Sequence, residues 1–422
     1  MLTEGRFLET NLMTINYSLS SELASQRATI WVFIASIFVP IEVYLFGAFL
    51  RPIFLGTMFV FLAGIFASLL LNKPFKVVLP PISFILSFIL IGFFVTVQPM
   101  FVVNYGLQFK ELIEVAVTLA CAVIVITIVR RNGAVFLLQS LYRVGFLFVL
   151  AFLCHEVYVG DFPTFKDPYW IILMTSLSAL SLIYLRVMKI GSINLSLLPI
   201  IFLSASRTLW ACLLIFVIPA GSLGLRMLAG ISFLFLGFLA TMIPQIHYYI
   251  ESLFFLIGNT GLILEQLEMG QRLGLANASD NVRLMEAWRS VIVFFENPVL
   301  GVGVNNYQNY LILNKGIETH ITAHNELLRV LAEGGAVLFS IYSFLYLAAF
   351  FRIRRKLKNK PKNVALGFLG ASFFLAFFTA TNFTITLLLI ISISFTYCPV
   401  FLSENSVKRR QPLVSDRIVL SQ

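Results

Sequence analysis

Long apolar runs alternate with short polar turns along most of the chain, a pattern typical of membrane-spanning helices. A helix rises about 1.5 Å per residue and the hydrocarbon core is about 30 Å thick, so a span needs about 20 apolar residues. Runs near this length predict about twelve spans, at 31–50, 53–71, 78–98, 112–129, 134–154, 169–185, 190–205, 207–225, 227–246, 336–351, 364–381 and 383–402. The predicted fold is therefore all-α and polytopic.

The long polar segment at 247–335 divides the chain into four predicted regions. An N-terminal bundle of about nine spans occupies 1–246, the polar segment forms a large loop at 247–335, further spans occupy 336–402, and a tail follows at 403–422. We expect the loop to carry short amphipathic helices and the functional site.

Composition agrees with a membrane protein and excludes a soluble enzyme. Of 422 residues, 59% are hydrophobic and 12% are charged, whereas soluble domains have about 25% charged residues. The net charge of +10 does not indicate nucleic-acid binding, because the basic residues lie in short runs beside apolar segments. We therefore predict that membrane lipids are partners of this protein.

Basic loops predict the orientation, since Lys and Arg accumulate on the cytoplasmic side. With twelve spans and both termini inside, these loops fall on one side: 73–76, 130–133, 186–189, 221–226, 352–362 and the tail at 408–410. Arg51 and Lys110 are the exceptions. The loop at 247–335 and the SASRT sequence at 204–208 are consequently predicted on the outer face.

One helix in the outer loop is predicted over 279–298, with Ser279 or Asp280 as its N-cap and Pro298 at its end. Its apolar positions recur at helical spacing and predict one buried stripe, formed by Val282, Met285, Ile292 and Phe295. Arg283 falls in the predicted first turn, where a cation opposes the helix dipole. It is either a ligand-binding residue or a solvated partner of Glu286.

A second loop helix is predicted within THITAHNELLRVLAEGG at 319–335. Thr322 is its expected N-cap, Asn325 and Glu326 lie in the first turn, and the Gly pair at 334–335 ends it. The free N–H groups at such a helix start suit an anion such as phosphate. His324 there is either functional or a satisfied polar residue.

Metal and cofactor chemistry is not indicated. His320 and His324 are four residues apart, but the expected cap lies between them and no third ligand is near in sequence. The four cysteines lack zinc-binding or redox spacing and are interpreted as small core residues. Arg207 is the remaining candidate for a functional residue. As a charge in a polar break between apolar runs, it either faces a cavity or reaches the interface.

Three motifs in this order resemble the O-antigen ligase/polymerase superfamily of bacterial membrane glycosyltransferases. They are the SxSRT element that opens a span, the stretch from Asn281 to Gly303 that ends in NP-x-x-GVG, and the His-Asn pair before a Leu-rich helix and a Gly pair. About twelve spans and a cytoplasmic tail complete the likeness.

The resemblance implies transfer of a glycan from an undecaprenyl-diphosphate carrier to an acceptor hydroxyl, at the periplasmic face of the inner membrane and without a metal or other cofactor. Arg207 and Arg283 would bind the diphosphate, since guanidinium groups form paired hydrogen bonds with phosphate oxygens. His324 would orient or deprotonate the acceptor hydroxyl, or bind the diphosphate. Asn325, Glu326 and Arg289 are further substrate-binding candidates, and both Arg289 and Arg329 are either functional residues or surface charges.

The motifs leave several activities open. A polymerase extends a second carrier-linked glycan, a ligase transfers to a lipid A core sugar, and an oligosaccharyltransferase glycosylates protein. A lipid-linked glycan flippase or a non-catalytic assembly protein is the alternative from another class. A flippase predicts internal repeats and ionisable residues at mid-membrane depth, whereas the charges of this chain concentrate at the predicted outer face.

Overall fold

A computed structural model of the chain describes residues 30–37, 43–45, 48–50, 78–102, 108–159, 169–187, 207–220, 278–317, 325–378 and 382–399. Two strands, β1 (Val43–Leu45) and β2 (Ala48–Leu50), are the described β-structure. The α-helices are α1 (Ile82–Val97), α2 (Gln108–Asn132), α3 (Ala134–Val159), α4 (Tyr169–Tyr184), α5 (Arg207–Ala220), α6 (Ala278–Glu296), α7 (Tyr307–Lys315), α8 (Glu326–Lys356), α9 (Asn359–Phe378) and α10 (Asn382–Ser394). Short 3₁₀ turns follow α1 and α10.

The predicted all-α class is confirmed for the described part of the chain, apart from the small hairpin. Strands β1 and β2 pair in antiparallel register, with Tyr44 opposite Phe49. The continuous span predicted over 31–50 is therefore wrong, because helix is described only at 30–37 in this region. Pro40 lacks the backbone N–H that a continuing helix needs, and aromatic residues favour strand.

Four described helices are long and apolar enough to cross a membrane, namely Ile82–Met100, Glu111–Asn132, Ala134–Ala151 and Glu326–Lys356. They correspond to the spans predicted at 78–98, 112–129, 134–154 and 336–351. Shorter apolar helices cover Ile171–Tyr184 and Thr384–Tyr397. The spans predicted at 53–71, 190–205 and 227–246 lie outside the described residues, so the total of twelve stays a prediction.

Helices α1–α5 and α8–α10 share one large apolar core, in which α9 packs against α5, α8 and α10, whereas α6 and α7 contribute to a second, smaller cluster with Ala332. Close approach of α5 and α9 depends on Gly367, where an added Cβ would lie 2.6 Å from the Phe216 ring. Phe216 also meets Phe368 edge to face, with ring centroids 5.3 Å apart. Hydroxyl groups within the core, such as that of Thr175, donate to backbone carbonyls one turn back, which satisfies them in an apolar environment.

Contacts between helix ends show which helix termini lie at the same end of the bundle. Glu111 near the start of α2 lies 3.9 Å from Arg329 near the start of α8, so both helices start at the same end of the bundle. Both helices end in basic residues, which are Arg130, Arg131, Arg354, Arg355 and Lys356. Helix α1 runs the other way, since Gln98 at its C-terminal end contacts the backbone of Glu333.

Helix α8 is broken at Gly335, whose φ of 61° and ψ of −162° are non-helical. The predicted stop at the Gly pair is thus a kink, after which the helix resumes. Only glycine tolerates this conformation, and a Cβ at Gly335 would overlap the Val299 carbonyl. The backbone at 298–303 lies against the kink, with Ala336 N–H donating to Pro298 O at 2.8 Å and Gly303 N–H to Glu333 O at 2.9 Å.

The buried face of α6 and the N-cap of α8 differ from the predictions made for the polar segment at 247–335. Phe295 on the predicted apolar stripe of α6 is 73% exposed, while Glu286, Ser290 and Val293 form the buried face, because this face packs against the Tyr307 hydroxyl. The N-cap of α8 is Asn325, whose Oδ1 accepts from Leu328 N–H at 3.0 Å, and not Thr322 one turn earlier.

Candidate functional site

The three principal candidate residues lie at or near helix starts, but their side chains are beyond the described part of the chain. Arg207 is the first residue of α5. Arg283 is in the second turn of α6, and not the first as predicted, because that helix already begins at Ala278. His324 lies outside the described residues and immediately precedes Asn325. Their convergence on one ligand stays a prediction.

Asn325 has two roles at the start of α8. It caps the helix through its side chain, and it lines a cavity of about 270 Å³. The cavity is otherwise largely apolar and extends along α8 to α9, with Leu328, Leu331, Tyr342 and Phe373 among its walls. One polar end and a long apolar wall suit an amphiphilic ligand.

Glu326 is buried and forms a bidentate salt bridge with Arg329. Its two carboxylate oxygens accept from Arg329, Oε1 from Nη2 at 2.6 Å and Oε2 from Nε at 2.9 Å. Arg329 is only 8% exposed, which excludes the alternative of a surface charge for this residue. The bidentate geometry is the strong form of this contact, and it directs both oxygens of Glu326 toward the protein.

Arg329 is the centre of a buried cluster that also contains Glu111, Glu326 and Glu333, which we call the Arg329 cluster. Its Nη1 donates to Glu333 Oε2 at 2.9 Å, and its Nη2 lies 3.9 Å from Glu111 Oε1. Glu111 Oε2 is buried and has no hydrogen-bond partner among the described residues. One guanidinium thus lies among three buried carboxyl groups. Its positive charge offsets the repulsion between them, so the cluster depends on Arg329.

The Arg329 cluster also holds the loop between α6 and α7. Glu333 Oε2 accepts from Asn305 N–H at 3.0 Å. Asn305 has a φ of 57°, a left-handed conformation that asparagine tolerates better than most residues. Nearby, the Asn306 amide donates to Val302 O at 2.7 Å, which closes the turn. The GVG sequence at 301–303 therefore serves a close backbone contact with α8.

Gln98 connects this loop to α1, and sequence reasoning missed it. Its Nε2 donates to Leu300 O at 2.5 Å and to Glu333 O at 2.7 Å, while its Oε1 accepts from Val304 N–H at 2.9 Å. The residue is 2% exposed. A glutamine at the end of an apolar run carries no signal for partners more than 200 positions away.

We expect Gln98→Leu to lower the free energy of unfolding by about 2–3 kcal/mol, because buried backbone groups would lose their partners. Thermal unfolding of the purified protein in detergent measures the effect. Gln98→Glu is the matched variant: it keeps an acceptor for Val304 N–H but loses both donors. A Gln98→Leu variant as stable as the parent would contradict the importance of this contact.

Arg289 forms an ion pair with Glu286 on the same helix. Its Nη1 donates to Glu286 Oε1 at 2.7 Å, and Glu286 Oε2 accepts from the Tyr307 hydroxyl at 3.1 Å. Burial, followed by the charge of Glu286, raises the pKa of Tyr307 above its ordinary value, so the hydroxyl stays protonated and donates. The Arg289 side chain is 22% exposed, so part of it is open to solvent.

No group of three His, Cys, Asp or Glu side chains has metal-binding geometry among the described residues. His320 and His324 lie outside that part of the chain.

Residues 192–343 match the model of a protein family described as O-antigen ligase. The matched stretch contains Arg207, Arg283 and His324, whereas Gln98 and Glu111 precede it. The match confirms the resemblance to the O-antigen ligase/polymerase superfamily that the motifs indicate, and together with the apolar helices it indicates a membrane protein. No curated protein matches the chain.

Proposed function

We propose that this chain transfers a glycan from an undecaprenyl-diphosphate carrier to an acceptor hydroxyl at the outer, periplasmic face of the bacterial inner membrane. The observation that carries the proposal is the family match, which includes Arg207, Arg283 and His324 in one stretch. The product is an O-antigen or exopolysaccharide chain if the acceptor is another carrier-linked glycan, and a completed lipopolysaccharide if it is a lipid A core sugar.

The direction of the helices supports the outer-face placement. Helices α2 and α8 begin beside the Arg329 cluster and end in basic residues, and basic residues favour the cytoplasmic side. The start of α8, next to His324, is then at the opposite, outer end. A lipid-linked donor exposes its diphosphate at this level while its prenyl chain stays in the bilayer.

In the proposed reaction, the bond between the anomeric carbon and the diphosphate oxygen breaks as the acceptor oxygen bonds to that carbon. Arg207 and Arg283 bind the diphosphate and stabilise the negative charge that develops on the leaving oxygen. His324 takes the proton of the acceptor hydroxyl, or donates a hydrogen bond to the diphosphate. The leaving diphosphate remains on the polyprenyl lipid.

The remaining candidates contribute less directly. Asn325 fixes the start of α8 and lines the adjacent cavity, so it is positioned to contact the donor. Arg289 has a partly exposed side chain that is assigned to binding the glycan or diphosphate. Glu326, both of whose oxygens bind Arg329, acts by holding the helix start in place.

Transfer by the purified protein in liposomes tests the proposal. The donor is a polyprenyl-diphosphate-linked oligosaccharide, and the acceptor is either the same lipid-linked glycan or lipid A core. A ladder of longer carrier-linked products identifies a polymerase, and a single addition to lipid A core identifies a ligase. Failure of transfer to both acceptors, with folded protein and intact donor, would contradict the proposed reaction.

A further inference from the structure

The last turn of α6 and the turn that follows it, together residues 295–300, expose large apolar side chains. Phe295 is 73% exposed and Val299 is 62% exposed. At the end of α1, Met100 is 78% exposed and Phe101 is 70% exposed. Contiguous exposed apolar groups mark a surface that contacts something other than water.

Hydrogen bonds place this turn beside the end of α1 and the kink of α8. Gln98, two residues before Met100, donates to Leu300 O in the turn. Val337, at the start of the apolar stretch of α8, donates its N–H to Val299 O at 3.3 Å. The turn therefore lies at the level where α1 ends and the second segment of α8 begins.

The exposed stripe of α1 indicates which surface covers the turn. Ile82, Leu86, Ile89, Phe93 and Met100 recur at helical spacing and are all exposed, as expected for a lipid-facing side of a span. Met100 lies in the 3₁₀ turn after α1, two residues beyond Gln98, which bonds to Leu300. The exposed apolar side of α1 and the exposed apolar groups at 295 and 299 therefore occur at the same end of this span.

Polar groups near the turn fit an interfacial position. The exposed Glu296 accepts from Lys315 Nζ at 2.5 Å and from the Tyr310 hydroxyl at 3.0 Å. An element with apolar side chains directed to one medium and ion pairs to another is typical of the boundary between lipid and water.

We propose that residues 295–300, together with Met100 and Phe101, lie in the outer-leaflet interface and contact membrane lipid directly. The inference rests on the membrane placement under the proposed function and not on the glycan chemistry. It assigns the loop a partner, the lipid surface, and sets the start of α8 at the depth of lipid headgroups, where the diphosphate of a lipid-linked donor lies.

Spin labels on single cysteines test this depth in liposomes. Of the four free cysteines only Cys154 is exposed, so Cys154→Ser provides the background. Labels are placed by Phe295→Cys and Val299→Cys, with Phe93→Cys as the lipid control and Asn314→Cys on the exposed side of α7 as the water control. Collision rates with oxygen, which concentrates in the bilayer, and with a water-soluble nickel chelate report the depth.

We expect the oxygen-to-nickel ratio at 295 and 299 to exceed that at 314 several-fold and to fall below that at 93. A ratio equal to that at 314 would overturn the inference. Protection from both reagents, with dipolar broadening between labels, would also overturn it by showing contact with a second copy. An aqueous value at 93 would overturn the membrane placement as well. Lipid-like values at 295 and 299 together with an absence of glycan transfer would contradict the proposed function but not this inference.

Discussion

Replacement of Arg329 by methionine should lower the free energy of unfolding by about 3–5 kcal/mol, the usual result of removing one partner from a buried ion pair. The guanidinium is the cation of the Arg329 cluster, in which three glutamates lie within 3.9 Å of it. Without it these carboxyl groups repel one another in a medium that solvates them poorly. Denaturant or thermal unfolding in detergent measures the loss.

Two further variants test whether the loss of stability is specific to the Arg329 cluster or follows from removing any positive charge. Lys315→Met removes a cation from the exposed ion pair with Glu296, and such pairs stabilise proteins little, so this variant should unfold like the parent. Adding Glu326→Gln and Glu333→Gln to Arg329→Met should restore part of the stability, because the repulsion is removed. If Arg329→Met proved as stable as Lys315→Met, the cluster would not have the assigned importance.

Arg283→Ala and His324→Ala should each reduce glycan transfer by about 10²–10³-fold, the range seen when one group that stabilises developing charge is removed. Their stability should be nearly unchanged, which distinguishes them from Arg329→Met. Arg283→Lys keeps the charge but loses the paired hydrogen bonds, so we expect an intermediate rate. Product formation from the lipid-linked donor, measured alongside unfolding, gives both quantities.

The same substitutions distinguish an enzyme from a transporter or an assembly protein. In a strain that lacks the native gene, variants that leave glycan chain length and transfer intact would contradict the enzymatic role of both residues. His324→Gln separates the two roles of the imidazole, since glutamine donates a hydrogen bond but does not accept a proton at neutral pH. Activity retained in that variant would favour diphosphate binding.

The parts of the fold that depend on local sequence were predictable. An apolar run of sufficient length must form its hydrogen bonds internally, so α1, α2, α3 and the second segment of α8 follow from their composition. The break in α8 follows from its Gly pair, and the family follows from the order of three short motifs. The hairpin at 43–50 shows the limit, since hydropathy does not distinguish helix from strand in such a short segment.

The parts that depend on distant packing were not predictable. Arg329 has helical spacing to Glu326 and Glu333, which indicates surface ion pairs as readily as a buried cluster. The deciding partners, Glu111 and Gln98, come from helices more than 200 residues earlier. Likewise, the buried face of α6 is partly polar because it meets Tyr307, and no periodicity in α6 contains that information.

The kink at Gly335 has a consequence for how the protein is assembled in the membrane. The backbone at 298–303 supplies acceptors to the N–H groups of Ala336 and Val337 and donors to the carbonyls of Ala332 and Glu333. Groups left unpaired at a helix break are costly in lipid. The helix after Gly335 therefore completes its hydrogen bonds only once the backbone at 298–303 has folded against it, so the folding of this loop and the placement of that helix depend on each other.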